Sequence, residues 1–462
     1  MPNKHIMSFF SVKKIHFVGV GGHGVSALAR LALALKMEVT GSDLEWTVII
    51  DELEKAGVKI WIGHEAGHIT NDIEMIVHTA AAQEAENIEL QQAQILNIPT
   101  YSYFEALGLI SKERETIAVS GTNGKTTTTL MLGKILEAGG LDPLVIAGGN
   151  VEGQHGGGFR FGQGPFVVEA CEAFGNFLSL QAKYLLITNI EEDHLDYYKD
   201  LDDILEAFKK LIGQMKPGGF LLVNGDDIGI KKLENKLADQ KILIKKFGVQ
   251  GDVDFQAENV QTDSEVQRFS VLGNKFTIHV PGLFNVYNAL SAISVALILG
   301  VKPKNKKKSL EEFKGSWRRF QILGKYKEAT IISDYGHHPA GVVGTIEAAR
   351  QKYPGQRIIT VFHPHHKWRT RMLFNDFVEA FKQSDVVILN EIWSAPGREP
   401  KEDNISSADL VTELKKRGQV ESYFGADLDK TKEILDSLVK PGDVVLMMGA
   451  GYIYKLAEKL VK

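Results

Sequence analysis

Short apolar runs, each leading into a glycine-containing turn and then into apolar residues spaced three and four apart, recur along nearly the whole chain. An unbroken apolar run bounded by turn residues reads as a strand buried on both faces, and the helical spacing behind it as the helix that covers it. The first third predicts a strand over 14–18, a helix over 27–35, a second strand closing at Asp43, a strand over 73–78 and a helix over 87–96, with the unit ending near Ser111. The middle third predicts strands over 116–119, 144–147, 166–169, 184–188 and 220–223, with helices over 130–136, 204–215 and 286–299. The last third predicts strands over 330–333, 357–362, 386–389 and 444–447, with helices over 341–350, 372–381 and 453–460. Such alternation implies parallel sheets covered on both faces, so the fold class is α/β. Segments 266–271 and 275–280 alternate instead, and predict a small antiparallel sheet added to the middle unit. Residues 148–164 are rich in glycine and read as a mobile surface loop, and the lysine run 302–308 as a solvated linker face.

The length of 462 residues suits three domains, placed at 1–112, 113–315 and 316–462. A net charge of −5 argues against a nucleic acid or an anionic membrane as partner. No apolar run reaches membrane-spanning length, and the first residues do not have the pattern of a signal peptide. Cys171 is the sole cysteine, which excludes an internal disulfide and points to a reducing, cytoplasmic setting; it reads as a small buried apolar side chain.

The strongest chemical signal is Gly121-Thr122-Asn123-Gly124-Lys125-Thr126-Thr127, between a predicted strand and a predicted helix. Unpaired N–H groups and the positive end of the helix dipole meet there and bind phosphate. Lys125 adds a cation for the outer phosphates and the Thr126 hydroxyl a Mg²⁺ ligand. Val119 stands where the longer G-x-x-x-x-G-K-[ST] form has its first glycine. A second turn, Gly19-Val20-Gly21-Gly22-His23-Gly24, fits G-x-G-x-x-G and has Asp43 about 20 residues on. Alone it is compatible with NAD, FAD or the diphosphate of a UDP-sugar, or with close helix packing only. Glu169 and His194 follow neighbouring strands of the middle unit and are candidate metal ligands beside a γ-phosphate. In the last unit Asp334-Tyr335-Gly336-His337-His338-Pro339 and His363-Pro364-His365-His366-Lys367-Trp368-Arg369 both follow strands and so line one crevice, a cationic rim for a carboxylate or phosphate. Arg318 and Arg319, at the hinge, are candidates to hold a nucleotide phosphate.

Taken together, these two glycine turns, Thr188-Asn189-Ile190-Glu191-Glu192-Asp193-His194, Asn285-Val286-Tyr287-Asn288-Ala289, Arg318-Arg319-Phe320 and Asp334 to Pro339 resemble, in order, the motifs of the Mur ligases of peptidoglycan synthesis. The resemblance implies a Rossmann-like N-terminal domain that binds a UDP-sugar, a central P-loop ATPase domain and a Rossmann-like C-terminal domain for the amino acid. It implies an ATP- and Mg²⁺-dependent ligase, monomeric or homodimeric, that joins L-alanine to the lactyl carboxylate of UDP-N-acetylmuramate. A tripeptide-recycling ligase of the same family and an NAD-dependent oxidoreductase are the alternatives. By resemblance Gly19, Gly21, Gly22, Gly24, Ser26 and Asp43 hold the UDP-sugar. Gly121 to Thr127, Asn288, Arg319 and Asp334 hold ATP, with Asn288 reading adenine, and Thr126, Glu169 and His194 take metal. Tyr335, His338, His365, His366 and Arg369 form the amino-acid pocket, and Lys125, His194, His338 and Arg369 are catalytic. Four residues depart from the family pattern: Phe284 replaces a histidine, His366 an arginine, Lys367 an aromatic and Tyr452 an aspartate.

Overall fold

The computed structural model describes residues 7–82, 86–150, 158–237, 242–394 and 404–462. Three sheets in series, each dominated by parallel strands, form the framework. In the first, the order is Lys59–Ile62, Glu38–Asp43, Lys14–Val18, Met75–His78 and Thr100–Ser102, all parallel. Strand order reverses direction beside Lys14–Val18, so a crevice opens where the first glycine turn lies.

The central sheet has eight strands. Thr116–Ser120, which feeds the phosphate loop, lies between Phe166–Glu169 and Tyr184–Ile187, both parallel to it. Glu169 and the segment after Ile187 therefore end on either side of that loop. The added sheet Glu258–Thr262, Gln267–Val271 and Asn274–Ile278 is antiparallel, as the alternating pattern predicted. The third sheet orders Gln321–Tyr326, Ala329–Asp334, Val444–Met448, Ile358–Phe362, Val386–Asn390 and Glu421–Ala426, with only the first of these antiparallel. The strands Ile358–Phe362 and Val444–Met448, at its centre, are buried throughout, as unbroken apolar runs in a doubly covered sheet must be.

Several expectations need correction. The phosphate-loop helix runs Lys125–Ala138, longer than the predicted 130–136, because its first turn is polar and faces the site, outside the apolar periodicity. The predicted helix 372–381 is Phe374–Ala380, and a short helix that was not expected, Lys367–Met372, precedes it and meets it at Leu373. The lysine run is no linker: it forms the helix Pro303–Glu311, with proline in its first turn. Lys306 is buried there and its ammonium donates to the carbonyl of Val301. Residues 151–157 of the expected glycine-rich loop lie outside the described residues. The remainder includes Phe159–Arg160, which pairs antiparallel with Leu144–Ile146. No helix among the described residues is long and apolar enough to cross a membrane.

Candidate active site

The phosphate loop is held by its neighbours more than by itself. Gly121 has φ +124°, and a Cβ there would lie 2.3 Å from Thr188 Oγ1, so only glycine permits the approach. Asn123 donates its backbone N–H to Asn189 Oδ1 (2.8 Å), while its carbonyl accepts from the Thr188 hydroxyl (2.6 Å). Gly124 caps the helix with φ +83°, and a Cβ on it would lie 2.3 Å from Asn288 Oδ1. Asn288 is thus a buttress: it is buried, accepts from Thr128 Oγ1 and donates to Asn285 Oδ1. At the start of the helix that carries Asn288, Leu283–Ile298, a cleft of about 480 Å³ faces Pro339–Lys352, with Phe284, Tyr287, Val343 and Gln351 among its walls.

Lys125, first residue of the helix, folds back to the carbonyls of Gly121 (2.5 Å) and Thr122 (3.0 Å) and pairs with Glu172 (2.9 Å). Burial works against its charge, but the acids around it, Glu172 foremost and Glu169 with it, together outweigh that and hold its pKa above the ordinary lysine value. The sequence reading missed Glu172, although a second acid three residues after Glu169 was visible. Cys171, between them, is half-buried, and burial pushes its thiol up to about 12, so it is no nucleophile. Glu169 accepts from the Thr126 hydroxyl (2.9 Å) and from Gly148 N–H (2.6 Å). This pair of hard oxygen donors, next to a phosphate loop, fits Mg²⁺. His194, with φ +53°, lies 4.0 Å from Glu172 Oε1 and 3.9 Å from Asp193 Oδ2. Among the described residues no three His, Cys, Asp or Glu side chains gather tightly enough to hold a metal by themselves.

On the C-terminal side the expected pocket residues are mostly occupied with one another. Arg369 is buried and directs Nε (3.2 Å) and Nη2 (2.8 Å) at Asp193 Oδ1, and Nη1 at His365 Nδ1 (3.3 Å). His338 donates Nε2–H to the Glu192 carbonyl (3.0 Å), with Nδ1 3.5 Å from Glu191 Oε2. His366, buried in the positive-φ region, has its ring against His365 and Trp368, so the residue in place of the family arginine packs behind the pocket. His365 stacks on Trp393, and the departing Tyr452 meets the same indole edge-on. Asp334, its pKa lifted by burial, receives the N–H groups of Phe320 (2.7 Å) and Gly336 (2.6 Å) and so closes the turn. Arg318 is buried among Trp317, Tyr335 and Tyr454 and donates to the carbonyl of Gly449, so it ties the hinge to the last strand's loop. Arg319 is half-buried with its guanidinium 4.8 Å from the Tyr335 ring.

In the first unit, Gly21 N–H donates to Asp43 Oδ2 (2.8 Å). Gly19 has φ +77°, and a Cβ on Gly24 would lie 2.8 Å from the Tyr103 ring. The Ser26 hydroxyl turns back to the His23 carbonyl, one helical turn earlier. Next to Asp43, Ser42 joins a buried network: its hydroxyl, His64 Nδ1 (3.0 Å) and His68 Nδ1 (2.6 Å) all meet the carboxylate of Glu89. His23, Ser26 and Arg30 face Asn150 and Phe159 of the central unit across a crevice with only about 10 Å³ of free space.

Residues 14–115 match the model "Mur ligase family, catalytic domain", residues 166–296 the "Mur ligase middle domain" and residues 318–451 the "Mur ligase, glutamate ligase domain". The chain belongs to the Mur ligase family. A UDP-N-acetylmuramate–L-alanine ligase of Clostridium kluyveri is 39% identical to this Mur ligase over 459 residues, covering 97% of this chain and 98% of its own. That of Caldanaerobacter subterraneus is 37% identical, with 97% of each chain covered. Among solved structures, the UDP-N-acetylmuramate-alanine ligase of Thermotoga maritima superposes on this Mur ligase with a TM-score of 0.79 at 28% identity, over 97% of this chain and 98% of that one. A murein peptide ligase of Psychrobacter arcticus, at 23% identity and TM-score 0.70, shares the fold.

Proposed function

We propose that this Mur ligase joins L-alanine to the lactyl carboxylate of UDP-N-acetylmuramate at the expense of ATP. The observation that carries the reading is the phosphate loop itself: Lys125 and the Thr126–Glu169 pair sit at the switch point of the central sheet, with the first glycine turn on one side and the histidine-rich crevice on the other. The full-length relatives with that activity in their names support the choice of substrates. An NAD-dependent oxidoreductase would leave this loop without a use.

A lactyl carboxylate oxygen attacks the γ-phosphorus of ATP, the bond to the ADP oxygen breaks, and an acyl phosphate forms. The alanine amine then attacks the acyl carbon, inorganic phosphate leaves and the amine gives up a proton. Lys125, kept charged by Glu172, exchanges its loop carbonyls for phosphate oxygens and stabilises the charge that develops during transfer. Thr126 and Glu169, with His194 nearby, are the residues that would hold Mg²⁺, which supplies charge neutralisation between the outer phosphates. The nucleobase enters the cleft between Phe284 and Val343, and Phe284 offers it a stacking face in place of the family's histidine. His337 is the proton acceptor best prepared on this chain: burial keeps it neutral, and its Nδ1–H donates to the Tyr335 carbonyl (3.1 Å), which leaves Nε2 as acceptor. Use of ATP and a UDP-sugar sets the reaction in the cytoplasm.

The test is release of ADP and phosphate by purified protein with Mg²⁺, ATP, UDP-N-acetylmuramate and a panel of L-alanine, glycine, L-serine and murein tripeptide. Release that requires both the UDP-sugar and L-alanine, with the amide found by mass spectrometry, is expected. Turnover with tripeptide and not with alanine would overturn the choice of substrate.

A further inference from the structure

The acidic turn after Tyr184–Ile187 touches two units at once. Toward the phosphate loop, Asn189 accepts the N–H groups of Thr122 and Asn123, Glu191 N–H donates to Thr122 Oγ1 (2.9 Å), and Glu191 Oε2 accepts from Asn123 Nδ2 (3.2 Å). Toward the C-terminal unit, the same Glu191 carboxylate faces His338, the Glu192 carbonyl takes the His338 Nε2–H, and Asp193 takes two guanidinium nitrogens of Arg369. Asp193 is 7% exposed and Arg369 2%. Three residues in sequence thus tie the nucleotide end of the site to the amino-acid end.

We propose that Asp193 is a positioning residue: through Arg369 it docks the C-terminal unit on the phosphate loop, and Arg369 braces the alanine pocket in place of clamping the alanine carboxylate directly. This rests on the ligase reading given above. An alanine carboxylate that took Arg369 for itself would strand Asp193 as an uncompensated buried charge, and such a charge is strongly unfavourable. The remaining nitrogen, Nη1, is turned to His365, so all three nitrogens of the guanidinium already meet protein. Arg369 lies in the short helix Lys367–Met372, whose start is fixed by His366 N–H on the Trp393 carbonyl (2.9 Å). The bridge consequently orients His365, and with it the ring wall made by Trp393 and Tyr452.

The full-length protein is compared with its Asp193→Asn, Asp193→Glu and Arg369→Lys variants and with the Asp193→Asn/Arg369→Lys double variant. Amide hydrogen exchange over 365–372, measured without substrates, reads docking independently of activity; it is expected to speed up in Asp193→Asn and to recover in part in Asp193→Glu. In steady state, Asp193→Asn is expected to raise the KM for alanine by about tenfold or more while the KM for ATP stays within about threefold, and the double variant to be no worse than the worse single one. An alanine KM that falls would show Asp193 to be a competitor for a clamp, and unchanged exchange or additive losses would overturn the docking role. Should Asp193→Asn melt early, Arg369→Lys carries the same readouts. If the parent protein makes no amide, the ligase reading fails while the exchange measurement still decides the docking.

Discussion

The two glycine turns share a backbone plan and differ in charge. Each follows the strand beside the point where its sheet reverses order, begins with a glycine at positive φ and ends in a helix whose N-terminal N–H groups face the crevice. In the first, the nearest charged partner is the Asp43 carboxylate on Gly21 N–H. In the second, Lys125 is held by Glu172, with Thr126 on Glu169 alongside. The geometry common to both suits a phosphate, and on the function proposed above the side chains decide which one: a diphosphate that is only held, or a triphosphate that is cleaved.

Lys125→Ala should separate the two turns most. With the developing charge no longer met, kcat/KM for ADP release should fall by a factor of about 10³ or more, equivalent to about 4 kcal/mol. A loss under about tenfold would remove the loop from the chemistry. Gly121→Ala comes next: it adds backbone strain of about 1–3 kcal/mol to the contact with Thr188 Oγ1. It should raise the KM for ATP and lower the melting temperature. Gly22→Ala in the first turn is the contrasting case, since its φ is −71° and a Cβ would meet only the Gly19 carbonyl at 3.5 Å. Stability should change by less than about 0.5 kcal/mol while the KM for the UDP-sugar rises, because the methyl group stands where the diphosphate must approach. Equal stability losses for both glycines would erase the distinction drawn here.

The smallest effect is a pH dependence confined to the first unit. Burial lowers the His16 pKa below its ordinary 6.5, so the unfolded chain binds a proton there that the folded chain does not; stability falls as pH drops below 6.5 toward the folded value. Glu89 is the depressed case: despite burial, the His16 ring that faces it and the hydrogen bonds from Ser42 and His68 hold it at about 2, so its contribution is whole above 4.5 and is lost as pH falls toward 2. Thermal melts between about pH 7 and 5 should show the first limb in the parent and a flatter profile in His16→Gln.

What the sequence showed followed burial. The strands of the sheet centres, such as Ile358–Phe362, were legible because both faces are apolar. The edge strand Gln321–Tyr326 was missed, since its residues alternate between half-buried and exposed with no clear apolar face. Lys125, Thr126 and Glu169 were legible from loop spacing and strand ends. The supporting contacts of Asn288 and Arg318 were not legible, because a motif tells that a residue is needed and not which part of the protein it braces. Asp193 and Glu172 make their contacts across chain separations that no local pattern encodes.

Lys306 carries a practical consequence. Its amine is turned inward onto the Val301 carbonyl, whereas Lys302, Lys304 and Lys308 point to solvent. An amine-reactive reagent will therefore tag those three and spare Lys306 for as long as this helix stays seated. Appearance of the missing tag in a peptide map would report its release without any substrate being added.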